Sequence, residues 1–302
     1  MPDKQKMKPC TLTIAIGVLL ALVSARFGCA STRVNPPSAP REWFREGTGR
    51  IVVMLGGGVY GAAMFAPHAH ELSSQFDVIR VQSLNVQTAR SGAPMPANYS
   101  VTLEAGALDQ TLSILGVTDP VDIVGASYGA LVALHFAVTY PERIRTITLF
   151  EPPAFWVLPE EEYKHDPVLS EMRELTSAMT PWAVPSDEQL FRFRCLLGSC
   201  PPGIPGQTDS ARTEWDFSRA AMRGLSAVVE HREDRARLAR LPHPVLLLTG
   251  SETVPFHRRI NEVLAREIPR SETDQLPGTH SATRTAKTEF IQRLRSFLAR
   301  HE

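Results

Sequence analysis

Short apolar runs recur through the chain from residue 50 onward: 50–55 (RIVVML), 76–81 (FDVIRV), 121–124 (VDIV), 144–150 (IRTITLF) and 244–249 (PVLLLT). Most have no consistent in–out alternation, which predicts strands buried on both faces. Between them lie segments with apolar residues at three- and four-residue spacing. Ala105, Leu108, Leu112 and Leu115 mark a helix over 101–115, and further helices are expected at 128–140, 257–268 and 285–300. Strand–helix alternation of this kind implies a mostly parallel sheet flanked by helices, an α/β fold.

The alternation stops between residues 152 and 241. That stretch is rich in proline, has no clear buried strand, contains helical stretches at 167–179 and 218–240, and holds three of the four tryptophans. The expected organisation is therefore a core built from residues 43–151 and 242–302, interrupted by a helical insertion at 152–241.

The amino end has a different pattern. Lys4, Lys6 and Lys8 precede an uncharged run at 11–25 (TLTIAIGVLLALVSA), and small residues follow at 28–31. A basic start, an apolar middle and a small-residue exit predict an export signal, a lipoprotein signal or an anchor over residues 1–30. Residues 31–42 then read as a linker. Cys29 is a candidate lipid-attachment position, so a membrane tether through the amino end is one expectation. The protein is expected to be exported: periplasmic, secreted or membrane-anchored. The spacing of Cys195 and Cys200 allows a small loop closed by a disulfide, which persists in oxidising compartments; two unpaired thiols are the alternative.

Charge changes the picture by exclusion. With 32 basic and 32 acidic side chains the formal net charge is zero, so no broad field draws in nucleic acid. A small-molecule substrate is the expected partner. The three glycines at 56–58 are followed by no lysine at P-loop spacing, and no Gly-x-Gly-x-x-Gly opens a helix, which disfavours a phosphate loop.

The candidate chemistry centres on Gly125-Ala126-Ser127-Tyr128-Gly129, where a strand becomes a helix with no linker. Such a turn must be sharp, so the neighbours two positions either side must be small, and Ser127 is left exposed at the amino end of a helix. A serine hydroxyl needs a base. Of nine histidines, His280 stands in a turn-rich loop before the last helix. His135 reads as buried structure, His231 as a surface residue, and His243 and His257 as flanking the late strand. The base needs an acid. Glu151 directly follows one strand and Glu252 follows another, with Asp274 as a third option, and the sequence leaves these open. Backbone amides of Gly58, Val59 and Tyr128 are candidates for an oxyanion hole. Phe155, Trp156, Trp182, Trp215 and Phe217 of the insertion are candidate walls of an apolar substrate pocket or, singly, core of the insertion.

With these residues placed, the chain resembles the α/β-hydrolase superfamily over roughly residues 43–298. The resemblance is carried by the glycine loop at 56–58, the Gly-Ala-Ser-Tyr-Gly turn at 125–129, the insertion at 152–241 and the Gly-Thr-His loop at 278–280. It is similar to the branch with a helical cap after the sixth core strand. That likeness implies a Ser-acid-His triad and hydrolysis without cofactor or metal. Two positions depart from the family pattern. Gly56 stands where a histidine is usual, and Thr253 where the acid is usually an aspartate. Relatives of haloalkane dehalogenases can carry a glutamate after the preceding core strand, where Glu151 lies, but a serine nucleophile disfavours dehalogenation and epoxide hydrolysis. The expected activity is hydrolysis of a carboxylic ester with a small to medium apolar group. The alternatives are carbon–carbon, lactone or amide hydrolysis by the same triad, or a non-catalytic ligand-binding surface protein.

Overall fold

The computed structural model of the protein describes residues 41–302. The expected export signal, Cys29 and nearly all of the expected linker lie outside the described residues. No helix among those described is long and apolar enough to cross a membrane.

Seven strands form one sheet: β1 (Trp43–Glu46), β2 (Ile51–Leu55), β3 (Asp77–Val81), β4 (Val121–Ala126), β5 (Ile144–Phe150), β6 (Val245–Gly250) and β7 (Ser271–Leu276), in the order β1-β3-β2-β4-β5-β6-β7. All neighbours are parallel except β1 against β3. The inner strands β3, β4 and β6 are buried at every residue, because helices cover both faces. One apolar layer lies between the sheet, α2 (Leu84–Ser91), α3 (Val101–Ile114) and α4 (Tyr128–Thr139), and the other holds α1 (Ala66–Leu72), α12 (Ala282–Thr285) and α13 (Lys287–Ala299) against the opposite face.

β1 and β7 were not expected from the sequence, for a physical reason. Both lie at the sheet's edges, where one strand neighbour is missing and solvent is near. Their sequences, WFRE and SETDQL, therefore carry no apolar run. β7 is held by its backbone ladder to β6, in register from Val245 against Ser271 to Gly250 against Leu276.

Between β5 and β6 the described chain has no strand. It forms short helices: α5 (Glu160–His165), α6 (Pro167–Ser177), α7 (Asp187–Leu196), α8 (Arg212–Ala221), α9 (Ser226–Glu230) and α10 (Arg235–Leu238). The single helix expected over 218–240 is broken into pieces. Gly224 adopts a φ of +79°, and a Cβ there would meet Tyr99 Cδ1 at 2.5 Å, so the chain turns where only glycine fits. Cys195 and Cys200 form a disulfide at the end of α7.

Candidate active site

Parallel strands present their carboxyl ends on one edge of the sheet, so loops from separate parts of the chain converge there. The glycine loop leaves β2, Ser127 leaves β4, Glu151 leaves β5, and His280 follows β7. Ser127 has a φ of 52° and a ψ of −123°, and Glu151 a φ of 44°; these are the only two non-glycine residues with positive φ among those described. Each such conformation costs about 1–3 kcal/mol and persists only where surrounding bonds enforce it. The Ser127 amide donates to the Phe150 carbonyl at 2.8 Å, and the Glu151 amide to the Leu248 carbonyl at 3.1 Å.

The tightness of the turn is measurable at its two glycines. A Cβ on Gly125 would lie 2.5 Å from Ala130 Cα, and one on Gly129 would lie 2.2 Å from the Leu55 carbonyl oxygen. Both obstacles are backbone and cannot rotate away. We expect Gly129→Ala to destabilise the fold by at least about 3 kcal/mol in urea unfolding. A midpoint unchanged from wild type would show that α4 can lift off β2.

The hydroxyl of Ser127 lies 3.0 Å from His280 Nε2, and His280 Nδ1 lies 2.5 Å from Glu151 Oε2. The other oxygen of Glu151 accepts from the Gly250 amide at 2.7 Å. Glu151 is fully buried. Burial alone would raise its pKa. The neighbouring imidazoles of His257 and His280, the hydrogen bond from His280 and the Gly250 amide overcome this and hold it at about 2. His257 is itself driven down to about 3, first by burial and then by His280.

Of the three candidate acids, only Glu151 meets His280. Glu252 is exposed, with its amide bonded to the Gly278 carbonyl. Asp274 pairs with Arg293 at 2.8 Å on the surface. The reason lies in the turn. The positive φ at Glu151 swings its side chain back under the sheet edge toward His280, whereas the loop at 251–254 carries Glu252 outward.

Ser127 and His280 open into a cavity of about 350 Å³ between the core and the inserted helices. Gly58, Val59 and Tyr128 line it beside Ser127. Tyr128 is the first residue of α4 and so its amide has no intrahelical acceptor. The Gly58 carbonyl is turned away, accepting from Asn85 Nδ2 at 2.6 Å. The walls are Phe155, Met172, Phe193, Leu197, Leu225, Val228 and Phe256, with Arg194 and Arg284 also lining the cavity.

The expected tryptophans are absent from these walls. Trp182 is 77% exposed, Trp215 is buried and donates to Asp187, and Trp156 packs into the core cluster near His231. Phe217 is half-buried and also away from the cavity. Composition points to aromatics in the insertion, but only packing decides which face inward.

His257 is the residue the sequence reading missed. It is buried in α11 (Pro255–Glu267), lines the cavity and stacks on His280, with ring centroids 4.4 Å apart and planes 4° from parallel. Neither of its ring nitrogens has a hydrogen-bond partner among the described residues. A histidine in the first turn of a helix after a strand carries no local signal of this role. Donor atoms of Glu151, His257 and His280 lie within 4.8 Å of one another, close enough to hold a metal ion.

A parallel sheet with a serine at a strained strand-to-helix turn, bonded through imidazole to a buried carboxylate, defines an α/β hydrolase. A model of the alpha/beta hydrolase family matches residues 52–292, and the chain belongs to that family. Among its relatives, Lipase 3 of Moraxella sp. (strain TA144) is 22% identical over 186 residues, covering 60% of this chain and 56% of the lipase. The Klebsiella pneumoniae protein RutD, whose name proposes a carbamate hydrolase, is 24% identical over 86% of this chain and 94% of its own length. Among solved structures, a thermophilic esterase from Thermogutta terrifontis superposes with a TM-score of 0.63 at 18% identity, over 87% of this chain and 94% of that one.

Proposed function

We propose that this hydrolase cleaves carboxylic esters with a small to medium apolar acyl or alcohol group, with Ser127 as nucleophile, His280 as general base and acid, and Glu151 as the orienting carboxylate. The observation that carries the reading is the unbroken chain of contacts from buried Glu151 through His280 to Ser127 Oγ, which opens into a mostly apolar cavity. In the first step Ser127 Oγ attacks the ester carbonyl carbon as its proton passes to His280 Nε2. The resulting oxyanion is held by amides of Gly58, Val59 and Tyr128. His280 then gives that proton to the leaving alkoxide as the carbon–oxygen bond breaks. Water, deprotonated by His280, hydrolyses the acyl-serine and restores the hydroxyl.

Labelling of the folded protein by a fluorophosphonate, together with turnover of p-nitrophenyl esters, tests the proposal. An unlabelled Ser127 in folded protein would favour a ligand-binding role instead. Turnover confined to amides, lactones or a vinylogous diketone would move the activity to another bond. Wall residues make a further prediction. Val228→Trp intrudes into the cavity, and the preference for octanoate over butyrate ester, measured as a ratio of kcat/KM, should fall at least about 10-fold. An unchanged ratio would remove Val228 from the acyl site.

The proposal extends to a location outside the cytoplasm. The basic start and apolar run of the sequence support it, as does the Cys195–Cys200 disulfide, which an oxidising compartment preserves. Fractionation of cells expressing the full chain tests it.

A further inference from the structure

A second group of metal-ligating side chains lies outside the active site. His135 comes from the core helix α4, while His231 and Glu233 come from the segment between α9 and α10 in the insertion. One donor atom of each lies within 4.8 Å of the other two. All three side chains are at least nine-tenths buried, with exposures of 9%, 7% and 4%. None of them lines the substrate cavity.

The donor set is prepared for a cation in two respects. First, Glu233 is divided between two tasks. Its Oε1 accepts from Arg237 at 3.1 Å, while Oε2 faces the imidazoles, 2.6 Å from His135 Nδ1 and 3.9 Å from His231 Nε2. A carboxylate fixed through one oxygen presents the other at a defined position, as the hydrogen-bonded carboxylates of metal sites do. Second, the hydrogen bonding here is unsaturated. His135 Nε2 is buried with no partner among the described residues, and the His231 contact to Glu233 is too long for a hydrogen bond. The two rings stand edge to face with centroids 4.8 Å apart, beside the same carboxylate oxygen.

The chemistry selects the ion. Two imidazoles and one carboxylate suit zinc and its first-row neighbours, whereas magnesium and calcium take all-oxygen sites. Arg232 and Arg237 are the nearby cations. Arg237 reaches the Val138 carbonyl through its other nitrogen, and Arg232 donates to the carbonyls of Val229 and His231.

We propose that His135, His231 and Glu233 bind a divalent transition metal of the zinc class, with water as the fourth ligand, and so fasten the inserted helices to core helix α4. The ion would have no part in ester cleavage. Its binding would join two segments nearly a hundred residues apart in sequence, one from the core and one from the insertion.

The test counts zinc. Because Glu151, His257 and His280 form a second metal-competent group, the background is full-length His280→Ala protein. It is dialysed against zinc chloride, freed of excess by gel filtration and assayed for bound metal. About one zinc per chain is expected. It should be lost on adding His231→Asn, since loss of even an outer partner costs about 10–100-fold in affinity and loss of a ligand costs more. Zinc near one hundred times its dissociation constant should also raise the Tm of the His280→Ala protein by on the order of 5–10 °C, and not that of the variant also carrying Glu233→Gln. No zinc on the His280→Ala protein overturns the proposal, and this arm depends on no change at the proposed site. Equal zinc with and without His231 overturns it as well. Neither result bears on the esterase reading, which rests on labelling and turnover.

Discussion

Ser127→Ala should lower kcat for p-nitrophenyl butyrate by about 10⁶-fold, because nucleophile and base act as a unit and removing either forfeits nearly all of the covalent pathway. The folded state should survive. Among the described residues the hydroxyl makes a single hydrogen bond, to His280, and the strained backbone at a φ of 52° is held by the amide-to-carbonyl bond to Phe150, which alanine keeps. Residual turnover above water, about 10³–10⁴-fold, would come from the oxyanion donors and binding alone. Steady-state kinetics on protein whose circular dichroism and Tm match wild type would check this. Activity within about 10-fold of wild type would exclude Ser127 as the nucleophile.

The second large effect is expected at Glu151. Glu151→Gln should cost about 10⁴ in kcat, since an amide cannot stabilise the imidazolium and favours the wrong tautomer of His280. Glu252→Gln should stay near wild type, because Glu252 is exposed and has no contact with His280. The reverse ranking would move the acid to the later loop.

Glu151 also ties stability to pH, with a definite sign. Its pKa falls from the ordinary 4.5 to about 2 on folding, so its ionised form favours the native state. That contribution is fully present above pH 4.5, shrinks as pH falls through the interval, and is gone below about 2. Urea unfolding of wild type should therefore weaken between pH 4.5 and 2 more steeply than that of Glu151→Gln. Parallel curves would mean that the carboxylate is not coupled to His280 in solution.

Some of this was legible residue by residue. The alternation of apolar strands with helical segments from residue 50 follows from a parallel sheet's need to bury both faces, and five of the seven described strands are visible in that pattern. The two edge strands are not, because a ladder on one side requires only backbone, and WFRE and SETDQL meet that requirement without apolar side chains. The glycines at 125 and 129 were legible for a local reason, since each faces backbone a few residues or one strand away.

The acid was not legible. Glu151 and Glu252 both end strands, and no local property separates them. The choice came from a φ of 44° at Glu151, imposed by the Leu248 carbonyl on the next strand. The same holds for the cavity walls. The sequence marks the insertion as aromatic but not which aromatic points inward, so Trp182 lies in solvent while Phe193 and Phe256 line the site. His257 stacked on His280, and His135 brought against His231 and Glu233, are likewise meetings between segments distant along the chain. Local steric and periodic constraints are written into neighbouring residues, so the sheet's inner strands, the sharp turn and the serine upon it can be read along the chain. Contacts across the fold depend on where packing leaves each side chain, so the carboxylate, the pocket and the histidine clusters emerge from the folded molecule alone.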